Sequence, residues 1–259
     1  MKNSLMTIQI SLLTILLPNL VAAQDSLATT TTQQSQLKSG LMLKTIDGGT
    51  FFMGAPETEL ERDDDECQYQ VTVPSFSIGI YEVTQADWKS VMGKRPEEST
   101  YPDCDDCPVE SVSWNDIQIF LFHLNQKTGQ SYRLPTEVEW EFAAKGGVLS
   151  GHFKYAGTND MVQSGWYSDN AMFKPHPVGG MIANELGLYD LSGNVWEWCQ
   201  NTYDPYPCDT TTVGINTVRV IRGGSWFNNL VLRTTVRSYN KPTMRANDLG
   251  FRLAQNIRQ

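Results

Sequence analysis

The chain has 259 residues, 40% of them apolar, and a formal net charge of -9. That length suits one large domain or two small ones, and the apolar share is enough for a core. The acidic balance repels nucleic acid and anionic lipid and argues against both as partners, while it attracts divalent cations and basic partners.

The first residues read as an export signal. Lys2 precedes an apolar run from Ile8 to Leu17, Pro18 interrupts it, and Val21 and Ala23 supply small residues for a cut before Gln24. The run is too short for a comfortable membrane span. Residues 1–23 are therefore expected to be removed, leaving a periplasmic or secreted protein with no stable anchor. Residues 24–40 are rich in Thr, Gln and Ser, bury too little to order themselves, and read as a flexible linker. The folded domain is expected over 41–259.

Two short apolar runs flank Asp47-Gly48-Gly49, which predicts a hairpin. The acidic run ETELERDDDE (57–66) reads as a solvated loop, with a cation site there as the lesser expectation. Val71, Val73, Phe76, Ile78 and Ile80 then alternate as strand. Three helices share one start signal, a hydroxyl followed three residues on by an acid: Thr84 with Asp87, Ser113 with Asp116, Thr136 with Glu139. The first carries Trp88 and Val91 and stops at Gly93. The second carries Ile117, Phe120, Leu121 and Leu124 and stops near Gly129. The third carries Trp140, Ala143 and Ala144 and stops at Gly146-Gly147. His123, on the second, reads as a satisfied histidine rather than a ligand. No period is clear from Gly147 to Gly187, so a metal, a disulfide or dense aromatic packing must fix that stretch. Short strands are expected at VRVIRGG and GFRLA.

Export puts Cys67, Cys104, Cys107, Cys199 and Cys208 in an oxidising compartment, where pairing is the default and an odd number leaves one over. Cys199 and Cys208 flank a turn-rich loop that a disulfide would close. Cys104 and Cys107 read as a loop staple, or one of them as the partner of Cys67. A redox role would require a βαβ setting that is absent here.

Seven phrases taken together resemble one family: GGTFFMGA (48–55), YEVTQADW (81–88), CPVESVSWNDI (107–117), YRLPTEVEWEFAAKGG (132–147), NELGLYDLSGNVWEWC (184–199), RGGSW (222–226) and GFRLA (250–254). The resemblance is to the sulfatase-modifying factor, or formylglycine-generating enzyme, domain, over about residues 40–256. It implies an α+β fold of irregular, C-type-lectin-like kind with little regular secondary structure. The family's enzymes oxidise a sulfatase cysteine with oxygen and copper, using two cysteines that follow RGGSW. By register those positions fall on Asn228 and Arg233. Neither an amide nor a guanidinium replaces the soft thiolate that copper(I) requires, so the expectation is the family's frame without its oxidase chemistry. A sulfoxide-synthase branch needs a histidine triad and an extra helical domain, and the three histidines here, His123, His152 and His176, are widely spread. A third branch is exported, lacks the cysteine pair and is associated with periplasmic oxidation of a siderophore chromophore. It stands as the enzymatic alternative.

The resemblance also implies a structural calcium site in Asp190-Leu-Ser-Gly-Asn-Val-Trp-Glu197, through the side chains of Asp190 and Glu197 and the carbonyls of Gly193 and Val195. Carboxylates with carbonyls are the hard donor set calcium takes. Asp169 and Asn170 are candidates for a second site. Trp196 and Ser225 correspond to residues beside the family's reactive centre. With Asn228, Asn229 and Arg233 they are expected to line a polar groove for a peptide or small anion. The functional expectation is a calcium-binding, non-catalytic accessory domain that recognises a peptide, a glycan-like ligand or a partner protein, such as a secreted effector for which it acts as an immunity protein.

Overall fold

The computed structural model describes residues 39–257, apart from 211–213 and 230. The expected signal peptide and most of the linker lie outside the described residues. Ser39 and Gly40, assigned to the linker on composition, are already tied down: the Ser39 hydroxyl and the Gly40 N–H both donate to the Asp87 carboxylate, at 2.6 and 2.8 Å.

The chain opens with β1 (Leu43–Ile46) and β2 (Gly49–Met53), followed by β3 (Tyr69–Val73) and β4 (Phe76–Gly79). The hairpin expected at Asp47-Gly48-Gly49 is not one. β1 pairs with β4 and β2 with β3, both antiparallel, so β1–β2 and β3–β4 form one long ribbon. The ribbon bends where Gly48 meets Pro74-Ser75: the Gly48 N–H donates to the Ser75 hydroxyl, and a Cβ on Gly48 would lie 2.4 Å from the Val73 carbonyl oxygen. The glycines there permit close passage of two chains rather than a reversal.

The three capping signals all hold. α1 (Gln85–Met92), α2 (Trp114–Thr128) and α3 (Glu137–Ala144) each begin with a reciprocal capping box, at Thr84/Asp87, Ser113/Asp116 and Thr136/Glu139. Each cap contributes about 1 kcal/mol. α1 gains more, because the Cys107 and Asp105 carbonyls accept from the Gln85 and Ala86 N–H groups. β5 (Tyr132–Arg133) lies between α2 and α3. A short α4 (Met161–Ser164) is the only α-helix described between Gly147 and Gly187. Then come β6 (Trp196–Tyr203), β7 (Ile215–Arg222), β8 (Arg237–Asn240), β9 (Leu249–Gly250) and β10 (Ala254–Asn256). One sheet runs β1-β4-β10-β5 and another β8-β7-β6-β9, the β6–β9 pair being parallel. Among the described residues no helix is long and apolar enough to cross a membrane.

One core cluster packs α3 against the first ribbon and β6–β7 through Trp140, Phe142 and Ile78. The other gathers α1 and α2 around Trp88, Phe120 and Phe251, with Trp88 and Phe120 stacked at 5.0 Å. The aperiodic stretch is fixed by side chains. The Asn184 amide donates to Ala143 and accepts from the Leu186 and Leu188 N–H groups. The Ser192 hydroxyl takes the Ala156 N–H and donates to the Leu232 carbonyl. Trp166 stacks on His176 at 3.8 Å. Gly165 is obligatory by contact, since a Cβ there would sit 1.4 Å from the Ser192 oxygen.

The cysteine pairing corrects the sequence expectation. Cys67 bonds Cys208, Cys104 bonds Cys107, and Cys199 is the free, buried thiol. Cys199 lies mid-strand on β6 with its side chain in the core, while Cys208 comes after the strand has carried the chain outward. Cys208 is bonded to Cys67 instead, so the core-facing Cys199 stays a thiol.

Candidate functional site

The turn from Asp190 to Glu197 is buried throughout except for Trp196. Asp190 and Asn194 both hold positive φ, 59° and 63°. Beneath the turn lies Glu82, wholly buried, accepting from the Asn194 amide at 2.7 Å and the Val195 N–H at 3.2 Å. Glu197 is held by Arg252 in a two-bond pair, both at 2.6 Å, and by the Trp140 indole N–H at 2.7 Å. The Asp190 carboxylate accepts from the Gly179 N–H at 2.6 Å.

Three carboxylates, Glu82, Asp190 and Glu197, thus share one guanidinium. Burial pushes the Glu82 carboxyl well above its ordinary range, and the charges of Asp190 and Glu197 push it further. Burial alone would lower the Arg252 pKa, but Glu197 overrides it and the guanidinium stays charged. A carboxylate offers about four acceptor positions, and donors take three of those on Glu197. Asp190, Glu197 and the Gly193 and Val195 carbonyls keep the oxygen donor types that calcium takes, but Glu82, Asp190 and Glu197 do not gather within 4.8 Å of one another as a ligand cluster.

The second candidate pair is otherwise engaged. The Asn170 amide closes its own turn, accepting from the Tyr167 N–H and donating to the Gly165 carbonyl, and Asp169 is exposed beside Ser168. Among the described residues, the one group of three ligand-type side chains with atoms within 4.8 Å of one another is Asp63, Asp65 and Glu66, in the acidic run. That run is only partly a solvated loop. Glu66 is fully buried and pairs with Arg233 through two bonds, at 2.6 and 2.8 Å, and Glu59 adds a third at 2.9 Å.

Arg233 therefore does not line the groove. It is 1% exposed and committed to the core, because a guanidinium there neutralises Glu66. The other groove residues partly meet. Trp196 and Asn228 line a cavity of about 300 Å³ with Ile221, Ser238, Tyr239, Asn240, Ala246, Asp248 and Leu249. Ser225 is buried beneath, its hydroxyl 2.8 Å from both Asn228 Oδ1 and Asp248 Oδ2. Asn229 is exposed and does not line the cavity. Sequence reasoning missed Glu82, Arg252, Tyr239 and Asp248. The first two carried a signal, a lone charge inside the apolar phrases YEVT and GFRLA. The last two become neighbours only when β8 and the loop before β9 come together.

No thiol is available for metal or redox work near this cavity. Four cysteines are in disulfides, and burial raises the Cys199 thiol well above its ordinary value, with Glu137 adding to the shift.

Comparison with known proteins agrees with this geometry. The model of the sulfatase-modifying factor enzyme 1-like domain matches residues 28–257. The chaperone protein LppX of Paenibacillus barcinonensis is 32% identical, over 82% of this chain and 87% of its own. The inactive C-alpha-formylglycine-generating enzyme 2 of Mus musculus is 28% identical, over 82% of this chain and 84% of its own. Among solved structures, Treponema denticola variable protein 1 superposes with a TM-score of 0.74 at 27% identity, covering 83% of this chain and 95% of the other.

Proposed function

The chain belongs to the sulfatase-modifying factor enzyme 1-like domain family and has its irregular C-type-lectin-like fold, and we propose that it is an exported, calcium-stabilised, non-catalytic binding domain. The observation that carries this reading is the fate of the two positions after RGGSW. Asn228 is bonded to Ser225, Arg233 is buried against Glu66, and all five thiols are oxidised or inaccessible. Copper(I) finds no soft ligand pair there. The surrounding frame is intact, with an open cavity beside Trp196, and a frame kept without its reactive atoms suits recognition.

Two of the relatives support the same reading, one described as a chaperone and one as inactive. Calcium is supported by the oxygen donors of the Asp190–Glu197 turn, where an ion would fix a long segment that has little ladder bonding of its own. Two disulfides favour an oxidising compartment. The partner is a protein or peptide met after export, a secreted effector being one form.

The deciding measurement is oxygen uptake by the purified chain with a cysteine-containing peptide and copper(I). No uptake above the peptide-only rate is expected, and no copper retained after dialysis. Copper-dependent turnover would overturn the reading.

A further inference from the structure

We propose that the cavity at Trp196, Asn228, Tyr239 and Asp248 seats a cationic side chain, lysine or arginine, presented by a protein partner. The proposal rests on the binding-domain reading and specifies its ligand.

Asp248 is the only charged side chain lining the cavity, and it makes no ion pair among the described residues. The cation nearest in sequence, Arg245, is committed to Asp116 and Glu98. The Asp248 carboxylate instead takes the Ser225 hydroxyl. A half-buried carboxylate beside aromatic walls has no counter-charge among the described residues, and a guanidinium or ammonium supplies one.

Asn228 adds to this. Ser225 has one hydroxyl proton and two oxygens at 2.8 Å. The charged acceptor, Asp248, takes the proton. The Asn228 amide then satisfies Ser225 by turning its NH2 toward the hydroxyl, because the two ends of an amide are assigned by their partners. Its carbonyl oxygen is left as a second acceptor turned away from Ser225. The cavity becomes rich in acceptors, and Trp196 and Tyr239 add ring faces that attract a cation.

Exposed apolar residues close in sequence to the cavity lining favour a protein over a free amine. Phe227 is 63% exposed, and Met244 and Tyr239 are also exposed. Phe227 contacts Trp226, Trp226 contacts Tyr101, and the Tyr101 hydroxyl donates to the Phe173 carbonyl at 3.0 Å. Phe173 and Met172 are both exposed and both held at positive φ, 57° and 51°. That conformation is costly for residues with side chains and persists only where surroundings impose it. Exposed apolar side chains next to a polar seat are a feature of protein interfaces. The chain as a whole is acidic, which favours a basic partner. Glu110, buried behind Tyr101, has four hydrogen-bond donors but no cation, and the whole chain carries -9.

The test titrates the full exported chain by calorimetry with three capped pentapeptides, Gly-Phe-X-Phe-Gly, where X is arginine, norleucine or glutamate. The arginine peptide is expected to bind about ten-fold tighter than norleucine, with glutamate weakest, and its advantage to shrink as salt rises. Asp248→Asn is expected to bring arginine down to the norleucine level while leaving the norleucine peptide and the melting temperature unchanged. Phe227→Ala is expected to weaken all three alike. Equal affinity for arginine and norleucine, a preference that survives Asp248→Asn, or no binding of any peptide would each overturn the cationic seat. None of these results touches the non-catalytic reading, which stands or falls on copper and oxygen uptake.

Discussion

The carboxylates under the Asp190–Glu197 turn and the carboxylate at the open cavity are neutralised in opposite ways. Below the turn, burial is complete and the protein brings its own cation: Arg252 grips Glu197 and bonds the Gly79 and Tyr189 carbonyls as well. At the cavity, Asp248 takes a hydroxyl and no cation among the described residues, and the proposed seat leaves its counter-charge to a partner. The difference teaches how the same residue type divides between holding a fold and reading a ligand. A group that is sealed must be balanced from within, whereas one at a rim can wait for its counter-ion.

The largest effect is expected at the sealed site. Arg252→Met leaves the buried carboxylates without their guanidinium, and losing one partner of a buried pair costs about 3–5 kcal/mol. Urea unfolding at neutral pH measures it. A loss under about 1 kcal/mol would show that the cluster is not sealed and would remove the contrast with Asp248.

Next comes the Cys67–Cys208 bond, which closes a span of 141 residues and anchors the acidic run that supplies Glu66 to Arg233. Cys208→Ser is expected to cost about 3 kcal/mol. Cys199→Ala, which deletes one buried sulfur, is expected to cost about 1 kcal/mol. Equal losses in the two variants would restore the pairing first expected from the turn-rich loop between them.

That mistaken pairing marks where the sequence stops being legible. Helix starts were readable because a capping box is local, three residues wide, and its chemistry is complete within the phrase. The buried Asp190–Glu197 turn stood out as a phrase for the same reason, its residues being sequence neighbours. The ribbon bend at Gly48 was not, since the glycine answers to Pro74 and Ser75, more than 20 residues on. Arg233 was misplaced for a related reason: its partner Glu66 is 167 residues away, inside a run whose composition suggests only solvent. Tyr239 and Asp248 carry no phrase of their own. They acquire a role only from the β8-β7-β6-β9 sheet that sets them beside Trp196.

A gentler probe of the sealed cluster is pH. Glu82 has a native pKa raised above the unfolded one, chiefly by burial. The native state therefore binds its proton more tightly, and this contribution is fully present below the ordinary carboxylate range. It declines as pH rises toward the native value, by up to about 1.4 kcal/mol per pH unit. Glu82→Gln carries no proton to lose and is expected to flatten the profile between pH 5 and 8 without calcium. Millimolar calcium is expected to flatten the unmodified protein in the same way and to do nothing further to the variant. A profile insensitive to both would remove the support for an ion at this turn.

The smallest expected effect belongs to the open site, and it separates the two regions most cleanly. Asn228→Asp puts a second carboxylate beside Asp248, at a position that is only partly buried. In the sealed cluster an added charge would unfold the chain. At the rim, water screens the pair, so the melting temperature should move by no more than about 2 °C. The arginine pentapeptide should bind about three-fold tighter, and the norleucine peptide should not change. The Ser225 proton stays with Asp248, so the new carboxylate turns its oxygens toward water, which the half-buried position 228 allows. If the variant instead loses several degrees with no gain for arginine, Asp248 is part of the core, and the distinction between a balanced interior and a waiting surface charge fails at this residue.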